Sequence, residues 1–219
     1  KVILFTSSTS GEGKTSIASN LGASIAFVGK KVLILGLDIR KPRLAGLFNL
    51  ADTDKGITNF LTRDKNDYKY LEGLVQPSGI TENLDILAAG PIPPNPAELL
   101  ESENLASAIE YLKTKYDYIL LDTAPIGLVS DTLSIGKCAD LTLYVVRANY
   151  TLKADLELVN SLAKEKRLPN INIIMNGVSA SPSDHSYRRY GNYGYRGYGY
   201  SYGYGYGYGE GKGKKLEEI

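Results

Sequence analysis

Short, nearly uninterrupted apolar runs rich in Val, Ile and Leu recur along the chain: Val2 to Thr6, Val32 to Asp38, Leu84 to Ala88, Tyr118 to Asp122, Leu141 to Arg147 and Ile171 to Asn176. They lack polar alternation, as strands covered on both faces require, and are predicted to pair in parallel. Helical spacing fills the intervals. Ile17, Leu21, Ile25 and Val28 follow at steps of four, four and three, with Gly29 as a stop, and predict a helix with that face turned to the core. Leu105, Ile109 and Leu112 repeat the spacing, as do Leu152, Leu156, Val159 and Leu162. The stretch Gly90-Pro-Ile-Pro-Pro-Asn-Pro96 is too rich in proline for an element interior and is predicted as a rigid loop leading into a helix. This order predicts an α/β fold, a doubly wound, mostly parallel sheet flanked by helices, with ligand chemistry at the carboxyl ends of the strands.

After about Ser179 the periodicity stops. Residues 1–180 are expected to form one domain, and 181–219 a linker and tail. Of the 17 tyrosines in the chain, ten lie between Tyr187 and Tyr208, interleaved with Gly and with Arg188, Arg189 and Arg196. Glycine at nearly every second position raises the entropy cost of ordering, so the tail is expected to be disordered. From Ser181 to Tyr208 the chain then spans roughly 30 Å root-mean-square as a flexible coil.

Composition removes several function classes. With 25 Lys+Arg, 24 Asp+Glu and a neutral His, the formal charge is +1, and no basic excess points to nucleic acid. Cys138 is alone, so no intrachain disulfide forms; a reducing compartment and a buried, unreactive thiol are expected. No run approaches the ~18 apolar residues of a membrane helix. Met175 is the single methionine, so the native chain is expected to continue upstream of Lys1.

Directly after the first predicted strand comes Ser8-Thr-Ser-Gly-Glu-Gly-Lys-Thr15, followed by a helix. A glycine-rich loop between strand and helix cradles phosphates on backbone N–H groups and the helix N-terminus. Gly11 and Gly13 let the backbone wrap the anion, Lys14 places a charge on the β- and γ-phosphates, and Thr15 offers a hydroxyl to Mg²⁺. Ser10, Glu12 and Ser16 complete the expected nucleotide contacts. Ser8 stands where the motif has Gly. Mg²⁺ takes hard oxygen ligands, and two carboxylates close apolar runs: Asp122 after Tyr118-Ile-Leu-Leu, and Asp38 after Val32-Leu-Ile-Leu-Gly-Leu. Lys14, Asp38 and Asp122 are the candidate catalytic residues, and Thr15, Asp38 and Asp122 the candidate Mg²⁺ ligands. Asn176 either reads an adenine edge or forms a turn before Gly177. Arg147 reaches a phosphate or a structural ion pair, Asp131 is expected to cap a helix, and His185 to be a solvated loop residue.

Together, Thr6 to Thr15, Leu37-Asp-Ile-Arg-Lys-Pro42, Asp117-Tyr-Ile-Leu-Leu-Asp-Thr-Ala-Pro125, Val145-Val-Arg147 and the tyrosine-rich C-terminus resemble the bacterial tyrosine autokinases of capsule and exopolysaccharide export. The resemblance covers essentially the whole chain. It implies a P-loop NTPase fold, with the family's Walker A residues at Gly11, Gly13, Lys14 and Thr15, its Walker A′ carboxylate at Asp38 and its Walker B carboxylate at Asp122. It implies ATP and Mg²⁺, and phosphoacceptors among Tyr187, Tyr190, Tyr193, Tyr195, Tyr198, Tyr200, Tyr202, Tyr204, Tyr206 and Tyr208. It also implies a homo-oligomeric ring, a membrane-spanning activator upstream of residue 1, a tyrosine phosphatase, the polysaccharide export machinery and a place at the cytoplasmic face of the cell membrane. One departure stands out: the usual Asp-x-Asp of Walker A′ is here Gly36-Leu37-Asp38. The partition and division-site ATPases are related at longer range and carry an additional Lys where this chain has Thr9, which separates it from them.

Overall fold

The computed structural model describes residues 1–63 and 67–178. The tail, with its ten tyrosines, His185 and the expected boundary at residue 180, lies outside them. The elements in chain order are β1 (Val2–Ser7), α1 (Lys14–Phe27), β2 (Val32–Gly36), α2 (Leu44–Leu47), α3 (Ile57–Leu61), α4 (Tyr68–Leu74), β3 (Gln76–Pro77), β4 (Leu84–Leu87), α5 (Pro96–Glu101), α6 (Glu103–Leu112), β5 (Tyr118–Asp122), α7 (Asp131–Gly136), β6 (Leu141–Arg147), α8 (Asp155–Lys164) and β7 (Ile171–Asn176).

They build one sheet in the order β3-β4-β2-β5-β1-β6-β7. All six strands expected from the apolar runs pair in parallel. β3 is the addition: two residues, antiparallel to β4, whose Pro77 offers no ladder N–H, so no apolar run announces it. β2 stops at Gly36, short of the expected Asp38, because the Leu37 and Asp38 N–H groups turn to the Asp122 carbonyl at 2.8 and 3.0 Å. Alternate side chains of each central strand enter opposite layers. Ile3, Phe5, Ile34, Ile86 and Leu120 pack with α1, whereas Val2, Leu4, Leu33, Leu35, Ile119 and Leu121 pack in a second core with α3 to α8. Burial on both faces explains the lack of polar alternation in five of the runs; the edge strand β7 departs from it, with Ile173 55% and Met175 63% exposed.

Helix α1 corrects the expected core face. Its deeply buried positions are Lys14, Ala18, Ser19, Gly22 and Ala26, while Ile17, Leu21 and Ile25 flank the contact and Val28 is 76% exposed. The sheet explains the choice. A Cβ at Gly22 would lie 3.0 Å from Ile34 Cδ1 and 3.1 Å from Leu120 Cδ1, so large sheet residues occupy the space and the helix presents small ones. In α8, Val159 and Leu162 are buried, whereas Leu152 precedes the helix and is 67% exposed, and Leu156 stays at its margin. Leu105, Ile109 and Leu112 face the core as expected. The proline-rich loop enters α5 with Pro96 in its first turn, where the missing N–H costs nothing. Cys138 is half-buried against the second core, and burial raises its thiol pKa.

Close approach of α1 holds its N-terminus over the strand ends. Gly22→Leu should therefore destabilise the fold by about 1–3 kcal/mol, the usual range for overpacking, and weaken nucleotide binding, both read from melting with and without ADP.

Candidate active site

β1 runs into the glycine-rich loop, and α1 leaves it at Lys14. Gly11 and Gly13 have φ of +88° and +99°, a left-handed backbone that side chains resist. At Gly13 space adds a second reason, since a Cβ there would sit 2.2 Å from Asn176 Nδ2. The Lys14 ammonium is buried and donates to Ser7 Oγ at 2.9 Å. Burial lowers its pKa, opposed by the charges of Asp122, Asp38 and Glu12. Ser8 is tolerated in a glycine position because its hydroxyl meets the buried Tyr144 hydroxyl at 2.9 Å. Ser10 is partly buried, and Ser16 is exposed on the first turn of α1.

Glu12 departs from the simple nucleotide contact expected of it. It is fully buried, and its carboxylate accepts from the Thr9 N–H at 2.7 Å and from the Thr151 hydroxyl. Asn176 likewise turns to the loop: its Nδ2 donates to the Glu12 carbonyl at 2.9 Å, and its Oδ1 accepts from the Gly177 N–H at 2.8 Å. Arg147 donates through Nη1 to the Gly11 carbonyl at 2.9 Å.

Asp122 at the end of β5 and Asp38, two residues past the end of β2, come together beside this loop. Asp122 pairs with Gly36 in the β2–β5 register, and its Oδ2 accepts from the Thr15 hydroxyl at 2.8 Å. Its Oδ1 is buried without a partner among the described residues, so an acceptor oxygen waits beside a hydroxyl and an ammonium. Asp38 is partly buried and accepts from the Lys41 N–H at 3.1 Å. These oxygens fit a small hard cation: Thr15, Asp38 and Asp122 would hold Mg²⁺, completed by phosphate oxygens and water. No larger His, Cys, Asp and Glu cluster suited to a metal occurs among the described residues. Burial pushes Asp122 up to about 6, with the Thr15 hydrogen bond and Lys14 pulling it down. At Gly36, where the resemblance leads one to expect Asp, a Cβ would lie 3.2 Å from the Ala89 N and 3.4 Å from Leu44 Cδ2. Packing by the end of β4 and by α2 closes that space.

Several contributors escape sequence reasoning. Asp131 is no cap: it is buried at the start of α7 and accepts from Arg40 Nε at 2.9 Å, with Nη2 at 2.8 Å, so it anchors the segment after Asp38. Tyr150 donates to the Ser10 carbonyl at 2.9 Å. A Cβ on Gly127 would lie 2.3 Å from the Ser8 carbonyl, which makes glycine obligatory where the β5–α7 connection crosses the phosphate loop. Only Asn149 gives a local signal, as a residue type that tolerates the left-handed φ of 59° it adopts here.

The raised Asp122 pKa has a defined sign. An acid whose folded pKa exceeds its unfolded value stabilises the fold only when protonated, so the nucleotide-free protein loses stability as pH rises from about 4 through about 6. Asp122→Asn should accordingly be more stable than the parent at pH 7, by about 1–3 kcal/mol, with the gap narrowing below about pH 6 and closing toward about pH 4. Melting curves across that range, together with loss of Mg-nucleotide binding, check it.

The geometry has counterparts. The family profile described as an AAA domain matches residues 1–175. Tyrosine-protein kinase CpsD of Streptococcus agalactiae is 34% identical over 201 residues, covering 90% of this chain and 82% of the relative. Tyrosine-protein kinase YwqD of Bacillus subtilis is 35% identical over 194 residues, covering 89% and 78%. The kinase domain of the Escherichia coli tyrosine kinase ETK superposes with a TM-score of 0.75 at 28% identity, covering 83% of this chain and 69% of that one. The septum site-determining protein MinD of Pyrococcus horikoshii, solved with Mg-ADP, shares the fold at a TM-score of 0.65 and 24% identity, covering 83% and 72%. With its phosphate loop, its two carboxylates Asp38 and Asp122 beside it and this degree of identity to CpsD and YwqD, the chain belongs to the bacterial tyrosine-protein kinases of the AAA domain family.

Proposed function

We propose that this protein transfers the γ-phosphoryl group of Mg-ATP to tyrosine, and that its main acceptors are its own tail tyrosines between Tyr187 and Tyr208. The observation that carries the reading is the convergence of the buried Lys14 ammonium, the Thr15 hydroxyl and the partner-free Asp122 oxygen at the carboxyl ends of β1 and β5. The names of the related kinases and ten clustered tyrosines on the same chain support it.

In this reading the loop N–H groups and Lys14 bind the β- and γ-phosphates and stabilise charge on the transferring group. Mg²⁺, when bound, supplies further neutralisation of the phosphate oxygens. Thr15, Asp38 and Asp122 orient the polyphosphate. A tyrosine hydroxyl, with pKa about 10, is neutral at pH 7 and loses its proton late, so positioning matters more than a strong base. With Gly36 in place of a first Walker A′ carboxylate, a proton acceptor must be Asp38 or Asp122, or none is used.

Transfer between subunits of a homo-oligomeric ring suits a long tyrosine-bearing tail. Each phosphate adds about −1.5 to −2 charges, so several on one tail repel neighbouring tails and loosen the ring. We infer a regulatory role in capsule or exopolysaccharide polymerisation and export, at the cytoplasmic face of the membrane, with a membrane-spanning activator, an opposing tyrosine phosphatase and the export machinery as partners, and no nucleic acid. A putative tyrosine-protein kinase of Klebsiella pneumoniae, 34% identical to this chain over 24% of its own length, supports a further segment in longer relatives. No helix among the described residues is long and apolar enough to cross a membrane. The rival is a partition or division-site ATPase switch, which would hydrolyse ATP without gaining phosphotyrosine.

Lys14→Met should abolish autophosphorylation while leaving the fold intact, read by mass spectrometry after incubation with Mg-ATP. Phosphotyrosine persisting in that variant, or absent from the parent protein despite ATP turnover, would sink the assignment. In a mixture, a Lys14→Met chain bearing its tail should be phosphorylated by an active chain truncated after residue 180; an unmodified tail there would place transfer within one chain.

A further inference from the structure

Three consecutive carbonyls of the phosphate loop are each held by a side chain from outside it. Tyr150 donates to Ser10, Arg147 to Gly11 and Asn176 to Glu12, each at 2.9 Å. The donors come from the end of β6, the turn that follows it and the end of β7. That turn is itself well fixed. The Arg147 N–H donates to Thr151 Oγ1 at 2.8 Å, the Arg147 carbonyl accepts from the Tyr150 and Thr151 N–H groups at 3.1 and 2.9 Å, and Ala148 N–H reaches the Asn176 carbonyl at 2.8 Å. Asn149 takes a left-handed φ of 59°, which brings Tyr150 and Thr151 back over the loop. The Arg147 guanidinium lies 5.2 Å from the Tyr150 ring centroid, and Thr151 closes on the buried Glu12 carboxylate.

A trans peptide is planar, with its N–H pointing opposite its C=O. Holding the carbonyls of Ser10, Gly11 and Glu12 outward therefore turns the N–H groups of Gly11, Glu12 and Gly13 inward. Those three N–H groups have no hydrogen-bond partner among the described residues. Donors left open in a glycine-rich loop form an anion-binding concavity. Glu12 looks out of place in such a loop, yet its carboxylate is turned away, onto the Thr9 N–H and Thr151.

We propose that Arg147, Tyr150 and Asn176, together with the Glu12–Thr151 contact, are positioning residues: a clamp that aims three N–H groups of the phosphate loop at the nucleotide phosphates before they arrive. The β6–α8 turn thereby becomes part of the phosphate subsite without touching phosphate. This rests on the reading of the loop as a nucleotide site.

The test uses Tyr150→Phe, Thr151→Val and the double variant, all uncharged and near-isosteric. Tyr150 is 48% exposed, so loss of its hydroxyl leaves the core alone. Affinities for inorganic pyrophosphate, ADP and adenosine are measured on purified protein, with ATP KM and kcat for autophosphorylation. Tyr150→Phe, which loses one hydrogen bond, should weaken pyrophosphate and ADP binding about three- to fivefold, Thr151→Val, which loses the two its hydroxyl makes, at least as much, and the double change about tenfold or more. Adenosine affinity should not move, and KM should rise with kcat held within about twofold, since a preformed anion site acts on ground and transition state alike. Unchanged pyrophosphate affinity in the double variant would overturn the clamp, as would an equal loss for adenosine, which marks general loosening. A parent protein that binds neither ADP nor pyrophosphate would instead overturn the nucleotide reading, and the clamp with it.

Discussion

The Asp122 peptide and side chain tie the site together. Its carbonyl accepts the N–H groups of Leu37 and Asp38, which pulls the chain after β2 out of the sheet and across the end of β5. Its carboxylate takes the Thr15 hydroxyl, and the first turn of α1 is fixed to the same strand end. Phe5 sits opposite it in the β1 register. One residue thus sets the relative places of the phosphate loop, the first turn of α1 and the Asp38 segment. The arrangement requires a carboxylate buried far from its preferred solvent, and that cost is visible in its raised pKa. A cation bound there would restore what burial removes.

The sheet was legible because a parallel sheet leaves an unmistakable trace. Strands covered on both faces must be apolar throughout, and five of the six runs are such strands; the sixth, the β7 edge, is apolar yet largely exposed, and the β3 edge of two residues leaves no run at all. The helices were legible as elements but less so as faces. In α1 the largest apolar residues were expected inward, yet the sheet had already filled that space with Ile34 and Leu120, so Ala18, Gly22 and Ala26 took the contact. Periodicity reports which residues are apolar; how much room the neighbouring layer leaves is a three-dimensional quantity.

At the site, contiguous chemistry could be read and assembled chemistry could not. Gly11, Gly13, Lys14 and Thr15 sit together in one loop, and Asp38 and Asp122 each close an apolar run. The Arg40–Asp131 ion pair joins residues 91 positions apart, and Tyr150 reaches Ser10 across 140. Nothing local distinguishes such residues from ordinary surface side chains. Glu12 shows the converse: its place in the motif suggests nucleotide contact, but its carboxylate is turned away from the open N–H groups, onto Thr9 and Thr151.

Gly36 has a consequence in charge as well as in space. A carboxylate about 7 Å from a polyphosphate would oppose it by roughly 2 kcal/mol at the effective dielectric of a protein interior near its surface. A Walker A′ strand ending in two acidic residues would set three negative groups around the phosphates, whereas this chain, with Ala89 and Leu44 packed over Gly36, sets only Asp38 and Asp122 there. In the proposed role the site would therefore be less repulsive toward a polyphosphate at rest. Its hold on a triphosphate would lean correspondingly less on an accompanying cation, and more on the fixed dipoles of the loop.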